Sequence, residues 1–344
     1  MLYIIISLLS FSTIKYLNYL YKKNSVITEK LSDELRKIHK VSVIRIGSIT
    51  FFPILLTLYY ISDFYLTLVI CFSFIFLTIG LYEDISNSLN KYFRLILLFI
   101  VVLLFQQSTE IIVLDFNNNL LNFLINKDLI ISSIFVIFSL IFIVNGFNFI
   151  DGINGLLLGL SIIILSIFSY YSYTLSQDIY MICVSSLICV FILFYYNIFY
   201  GQILAGDGGS YFLGFLIGAI SIFLSNEKII DPFTIACILY YPIIEITFTF
   251  FRRLIFNNSN PFVPDNRHLH QILYEIINKR MEDGNNIFSN NSITSIIILF
   301  FILITVMLSI NLANTFDAFF IYLILNFTYI LMYIGLYKYQ KKLI

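Results

Sequence analysis

Charge is scarce in this chain. Only 12% of its 344 residues are Asp, Glu, Lys or Arg, against about 25% in a soluble domain. The 20 basic and 20 acidic residues cancel. The zero net charge says nothing about nucleic acid, and no basic stripe interleaved with aromatics points to a nucleic-acid-binding surface. Cysteine is sparser still. Cys71, Cys183, Cys189 and Cys237 all lie inside apolar runs with no CxxC pair. That excludes a disulfide framework or thiolate metal site and leaves four small buried apolar side chains. Histidine occurs three times, at His39, His268 and His270. There is no internal repeat, and no low-complexity linker beyond the short run Asn117–Asn119.

What fills the chain instead is apolar. Sixty per cent of residues are hydrophobic and the mean hydropathy is +0.93. A membrane span needs roughly 20 mostly apolar residues, and runs of about that length recur from end to end. Eleven are expected, near 1–21, 43–60, 64–82, 93–106, 129–145, 154–173, 179–197, 210–225, 232–251, 292–312 and 316–337. Backbone polar groups in lipid must be satisfied within their own segment, so the spans are helices. The fold class is therefore an all-α, polytopic membrane protein, with residues 1–344 as a single transmembrane domain. Leu2–Phe11 lacks a basic n-region and a small-residue cleavage site, and reads as a retained first span rather than a signal peptide.

Basic residues orient the chain. Lys22, Lys23, Lys30, Arg36, Lys37, Lys40 and Arg45 flank the first loop, Lys91 and Arg94 the third, and Arg252, Arg253, Arg267, Lys279 and Arg280 the ninth. The opposite loops hold Lys127 and Lys228. Cytoplasmic loops carry the excess of Lys and Arg, which puts the N-terminus outside and the C-terminus in the cytoplasm. The polar clusters then share the cytoplasmic side, in loops near 22–42, 83–92, 145–155, 197–209 and 252–291.

Those clusters have a common chemistry. Glu83, Asp84, Asp151, Asp207 and Glu245 are acids at or near membrane depth, where carboxylates usually mark function. Brought together they repel unless a cation lies among them. Hard oxygen ligands suit Mg²⁺ or Mn²⁺, bound by one or two carboxylates plus substrate phosphates. Lys37, Arg45, Arg252, Arg253 and Arg267 supply positive charge for phosphate, and His268 and His270 supply hydrogen bonds or proton transfer. The run Gly206–Gly209 (GDGG) lets backbone amides approach an anion. Singly each has a plainer reading. Glu83–Asp84 is a helix cap, Asp151–Gly152 a turn, GDGG a loop, and Arg252–Arg253 a positive-inside anchor. Their coincidence on one face points to metal-assisted phosphoryl transfer.

At these motifs the chain resembles the polyprenyl-phosphate N-acetylhexosamine-1-phosphate transferases, which include phospho-N-acetylmuramoyl-pentapeptide transferase. The matching runs are RKIHKVSVIRIGS (Arg36–Ser48), GLYEDISNSLNKYFRLI (Gly80–Ile96), NGFNFIDGINGL (Asn145–Leu156), Asn197 with AGDGGSYFLG around Asp207, and PFVPDNRHLHQ (Pro261–Gln271). Departures are Glu83 for a usual Asp, Asn154 for a frequent Asp, Gln271 for a common third histidine, and Ser42 and Ile44 at frequent proline positions.

The resemblance implies transfer of a sugar-1-phosphate from a UDP-N-acetylhexosamine to undecaprenyl phosphate, at the cytoplasmic face of a bacterial inner membrane. It implies Asp207 as the metal ligand, Glu83 and Asp84 acting on the lipid phosphate, and Asn148 and Asp151 on the uridine diphosphate. Asn197 would support metal and diphosphate, and His268, His270 and Arg267 would hold phosphate charge. Lys37, His39, Arg45, Asn145 and Asn154 complete the expected substrate contacts. A homodimer is compatible with the resemblance. The peptidoglycan enzyme of the family is the alternative within it. A transporter or flippase is the alternative outside it, against which stands the near absence of charge inside the spans apart from Lys15 and Glu245.

Overall fold

The structure, a computed structural model, describes residues 1–23, 43–126, 128–255, 267–281, 288–313 and 315–343. The described residues form thirteen α-helices and one 3₁₀ helix, joined by short loops. In chain order these are α1 (Leu2–Lys22), the 3₁₀ helix Gly47–Tyr59, α2 (Phe64–Ser86), α3 (Lys91–Thr109), α4 (Asn119–Ile125) and α5 (Leu129–Ile150). There follow α6 (Leu156–Ser172), α7 (Gln177–Tyr200), α8 (Gly206–Asn226), α9 (Pro232–Ile238) and α10 (Tyr240–Ile255). The chain closes with α11 (Leu269–Arg280), α12 (Asn290–Leu312) and α13 (Ala318–Leu343).

Each expected span has a helix. Eight are long and apolar enough to cross a membrane, or nine if α9 and α10, bent by 76° at their junction, form one span. The other two segments, Gly47–Tyr59 and α6, are shorter. Their reach is nevertheless similar. Thirteen 3₁₀ residues rise about 26 Å and seventeen α-helical residues about 26 Å, against a hydrocarbon core of about 30 Å.

The helices start where the sequence supplies caps. Asp63, Asn90, Asp128 and Ser176 accept from backbone amides at the starts of α2, α3, α5 and α7. Asp231 does the same for α9, with Pro232 in the first helical position. Large apolar side chains such as Leu8, Phe300 and Phe327 face outward, as lipid-facing surfaces require.

Helix α8 is the centre of the molecule: 89% of its span is buried, against 22% for α1 and α13. It packs between α2 and α5. Gly80 of α2 permits the closest approach. A Cβ there would stand 2.4 Å from the backbone of Asp207 and Gly208. The expected loops near 83–92, 145–155, 197–209 and 252–291 are in part helix, the last holding all of α11. Glu83–Asp84 belongs to the last turn of α2, Asn145 and Asn148 to the last turns of α5, and GDGG is the first turn of α8.

Candidate active site

The site is built at the start of α8. This helix has no capping side chain of its own, yet its buried N-terminal amides need acceptors. Asp84, from the end of α2, supplies both. Its Oδ1 accepts from Asp207 N at 3.0 Å and its Oδ2 from Gly208 N at 2.9 Å. Its side chain is fully buried. A carboxylate also suits the positive end of a helix dipole.

Arg45 is brought in by a different device. Ile44 and Ile203 form an isolated parallel β-bridge, with Ile44 N donating to Gln202 O and Leu204 N to Ile44 O, both at 2.8 Å. This fastens the segment after the first loop to the segment before α8. Arg45 Nε then stands 3.5 Å from Asp84 Oδ1, and its Nη2 donates to Asp207 Oδ1 at 3.4 Å. Arg94, one turn into α3, donates to Asp207 Oδ2 at 2.7 Å and lies 3.8 Å from Glu83 Oε1. Asn148 of α5 donates to Asp207 Oδ1 at 3.1 Å and to the Ser210 hydroxyl at 3.0 Å. Asp207 is thus held by groups from four other segments.

A cavity of about 680 Å³ opens on this cluster. Of the expected site residues, Arg45, Asn145, Asn148, Asp151, Asp207, His268 and His270 line it. Asn145, Asn148 and Asp151 recur every three residues and so share one face of α5 and its cap. Burial pushes the Asp151 carboxyl up to about 7; Arg45 pulls it down, while Asp207 and Asp84 add to the rise. His270 is buried, which holds its imidazole down at about 4 and keeps it neutral at ordinary pH.

The other expected residues are placed differently. Asp84 is sealed beneath the cavity as the cap of α8, and Glu83 accepts from Leu89 N at 3.0 Å; neither lines the cavity. Asn154 and Asn197 also lie off it. Asn197 donates to Ile203 O at 2.8 Å and accepts from Gly155 N, while the Asn154 amide N–H is received by Asn291. Both join the turn before α6 to its neighbours. Arg267 is exposed and off the cavity, its carbonyl accepting from Tyr333 at 2.9 Å. Lys37 and His39 lie outside the described residues. Gln271, at the departure from the third histidine, accepts from His268 N at 3.1 Å and caps α11.

Several wall residues escaped the sequence reading of the site. Lys91, Tyr92, Arg94 and Thr249 line the cavity. Arg94 lay within a matching motif, and Arg253, expected to supply charge for phosphate, lines the cavity as well. A second cavity, of about 510 Å³ and almost wholly apolar, adjoins the first. Phe138 and Phe142 belong to both walls. It lies among α5, α8 and the two limbs of the bent pair, α9 and α10.

A Mg²⁺ ion fits the donor set. Asp207 and Asp151 put hard carboxylate oxygens on one cavity wall. Among the described residues no three His, Cys, Asp or Glu side chains converge on one point. Such an ion would therefore complete its shell with phosphate oxygens and water, as Mg²⁺ commonly does.

Comparison with known proteins meets the family resemblance. Residues 66–225 match the model of glycosyl transferase family 4, a stretch that contains Asp84, Arg94, Asn148, Asp151 and Asp207. The chain is similar to a probable undecaprenyl-phosphate N-acetylglucosaminyl 1-phosphate transferase of Bacillus subtilis, at 36% identity over 38% of this chain and 37% of that one. It is similar to the undecaprenyl-phosphate alpha-N-acetylglucosaminyl 1-phosphate transferase of Thermotoga maritima, at 27% identity over 79% of this chain and 81% of that one. A phospho-N-acetylmuramoyl-pentapeptide-transferase of Enterococcus hirae is 39% identical over 27% of this chain and 30% of its own. The match thus spans less than two fifths of the Bacillus relative and about four fifths of the Thermotoga one.

Proposed function

We propose that this chain, whose residues 66–225 are of the glycosyl transferase family 4 type, transfers a sugar-1-phosphate from a UDP-N-acetylhexosamine to undecaprenyl phosphate and releases UMP. The observation that carries the reading is the buried Asp207, gripped by Arg45, Arg94 and Asn148 in the wall of a polar cavity that shares Phe138 and Phe142 with an apolar one. A nucleotide-sugar diphosphate fits the polar cavity and an isoprenoid chain the apolar one. In the reaction a lipid phosphate oxygen bonds to the sugar-bearing phosphorus. The bond from that phosphorus to the bridging oxygen breaks, and UMP leaves with the electron pair. The anomeric bond is untouched.

The residues divide the work. Arg45, Arg94 and Arg253 offset phosphate charge, as guanidinium forks do. Asn148 and Asp207, held against each other, orient the diphosphate. Asp207, with Asp151 nearby, would hold Mg²⁺, which lowers the charge cost at the phosphorus when bound. His268 and His270 offer ring nitrogens along the same wall. Asp84 works at one remove, fixing Asp207 through the helix start. Mn²⁺ would serve the same ligands.

On this reading the chain crosses the bacterial inner membrane eleven times, with the two shorter helices as full crossings and the cavity open to the cytoplasm, where UDP-sugars are found. UDP-N-acetylglucosamine is the donor we favour, for a cell-surface polysaccharide. UMP release from UDP-N-acetylglucosamine by purified protein, dependent on both undecaprenyl phosphate and Mg²⁺, is the expected result. Passage of substrate across vesicles without UMP release would defeat the reading in favour of a transporter.

A further inference from the structure

Glu245 has no task in the scheme above, yet its placement is costly. It is completely buried within α10, and a carboxylate taken out of water loses several kcal/mol unless partners replace the solvent. It has them. Its Oε1 lies 2.9 Å from His268 Nδ1 and accepts from the Leu269 amide at 3.1 Å. Its Oε2 accepts from the Tyr329 hydroxyl of α13. Both carboxylate oxygens are thus acceptors, so the imidazole nitrogen that meets Oε1 carries a hydrogen.

The rest of the ring is equally constrained. His268 stacks on His270, with centroids 5.5 Å apart and planes within 3°, and Phe149 meets it edge-on at 5.3 Å. Thr249, one turn beyond Glu245, brings its hydroxyl 3.3 Å from the same Nδ1. His268 lines the polar cavity. Its Nε2 makes no hydrogen bond to the described residues and is not among the sealed polar atoms. It is therefore the nitrogen open to a ligand.

We infer that Glu245, braced by Tyr329, is a positioning residue that fixes His268 as its Nδ1–H tautomer and aims Nε2 at the bound phosphates. What Nε2 meets rests on the transfer reading; the tautomer does not. The three elements that make the device, α10, α11 and α13, lie outside the stretch matched by the family model.

Ring nitrogen-15 spectra of histidine-labelled protein test the tautomer directly. The chain has only three histidines, and the His268 signals are the pair that vanishes in His268→Gln. We expect Nδ1 to be protonated in the wild type and in Glu245→Gln, whose amide oxygen still accepts, and the two tautomers to mix in Glu245→Leu. In UMP release, Glu245→Leu should lose about tenfold or more in kcat. Its KM for the UDP-sugar should stay within about threefold, while Glu245→Gln keeps most of the activity. A wild-type His268 protonated at Nε2 alone overturns the inference, whether or not any variant folds. So does wild-type kcat in a folded Glu245→Leu. Wild-type protein that releases no UMP would instead defeat the transfer reading, leaving the tautomer to be decided by the spectra.

Discussion

A single carboxylate, Asp207, is where the chain concentrates opposite charge. Arg94 gives it its shortest contact, at 2.7 Å, and reaches Glu83 as well. Hydrogen bonds to charged groups are worth about 1.5–3 kcal/mol, which corresponds to roughly a 10- to 150-fold change in rate. Arg94→Ala should therefore lower UMP release by about that factor without unfolding the protein, and Arg94→Lys, which keeps charge but not the fork, should fall between. Wild-type rates in Arg94→Ala would remove Arg94 from the site. Asp151 makes a different prediction, about pH. Its folded carboxyl is raised to about 7 from an ordinary value near ~3.9, so the folded state holds its proton more tightly than the unfolded state. The contribution to stability is then complete below pH ~4 and is lost as pH rises to about 7. In chelator-treated protein, Asp151→Asn should flatten the fall in Tm between pH 5 and 8 and gain a few degrees at the upper end. Parallel Tm profiles for variant and wild type would contradict this.

At the scale of helices, legibility followed the distance between a group and its partner. Asp63, Asn90, Asp128, Ser176, Asp231 and Ser289 cap the helices they immediately precede, and such starts are readable from local sequence. The start of α8 is not. GDGG reads as a loop because four residues with three glycines favour turns. It is helical because an acid 123 residues away, Asp84, accepts its amides. The acidic pair was legible as important, but not that Asp84 caps a helix so distant in sequence. Asp84→Ala should leave two buried amides unsatisfied at about 1–3 kcal/mol each, lowering Tm and activity together. Asp84→Asn, which keeps one acceptor oxygen, should lose less of both. Gly80→Ala should resemble Asp84→Ala, since its methyl group would collide with the backbone that Asp84 caps. Thermal melts in detergent check the order, and an unaltered Tm for Gly80→Ala would show that α2 and α8 can separate at no cost.

Across the whole molecule, the apolar runs carried the architecture. Every expected span has a helix, because runs of that length have few alternatives in lipid. The 76° bend between α9 and α10 does have a local signal, Pro242 in the first turn of α10, which has no N–H for the carbonyl of Ile238 at the end of α9. The bend matters because the apolar cavity opens beside it, touching Pro232, Phe233, Ala236 and Leu239. Cavities have no sequence signature; they are what packing leaves unfilled. This one shares Phe138 and Phe142 with the polar site, so a ligand could lay a chain in one and a phosphate in the other. Ala236 is the smallest side chain on its α9 wall, and Ala236→Phe would fill part of the space without adding charge. If the isoprenoid chain lies there, the variant should raise KM for undecaprenyl phosphate about tenfold, the loss expected from a contact worth ~1.4 kcal/mol. It should leave KM for the UDP-sugar unchanged. A two-isoprene phosphate, too short to reach far past the phenylalanines, should be affected much less. Equal effects on long and short acceptors would place the lipid chain elsewhere on the protein's surface.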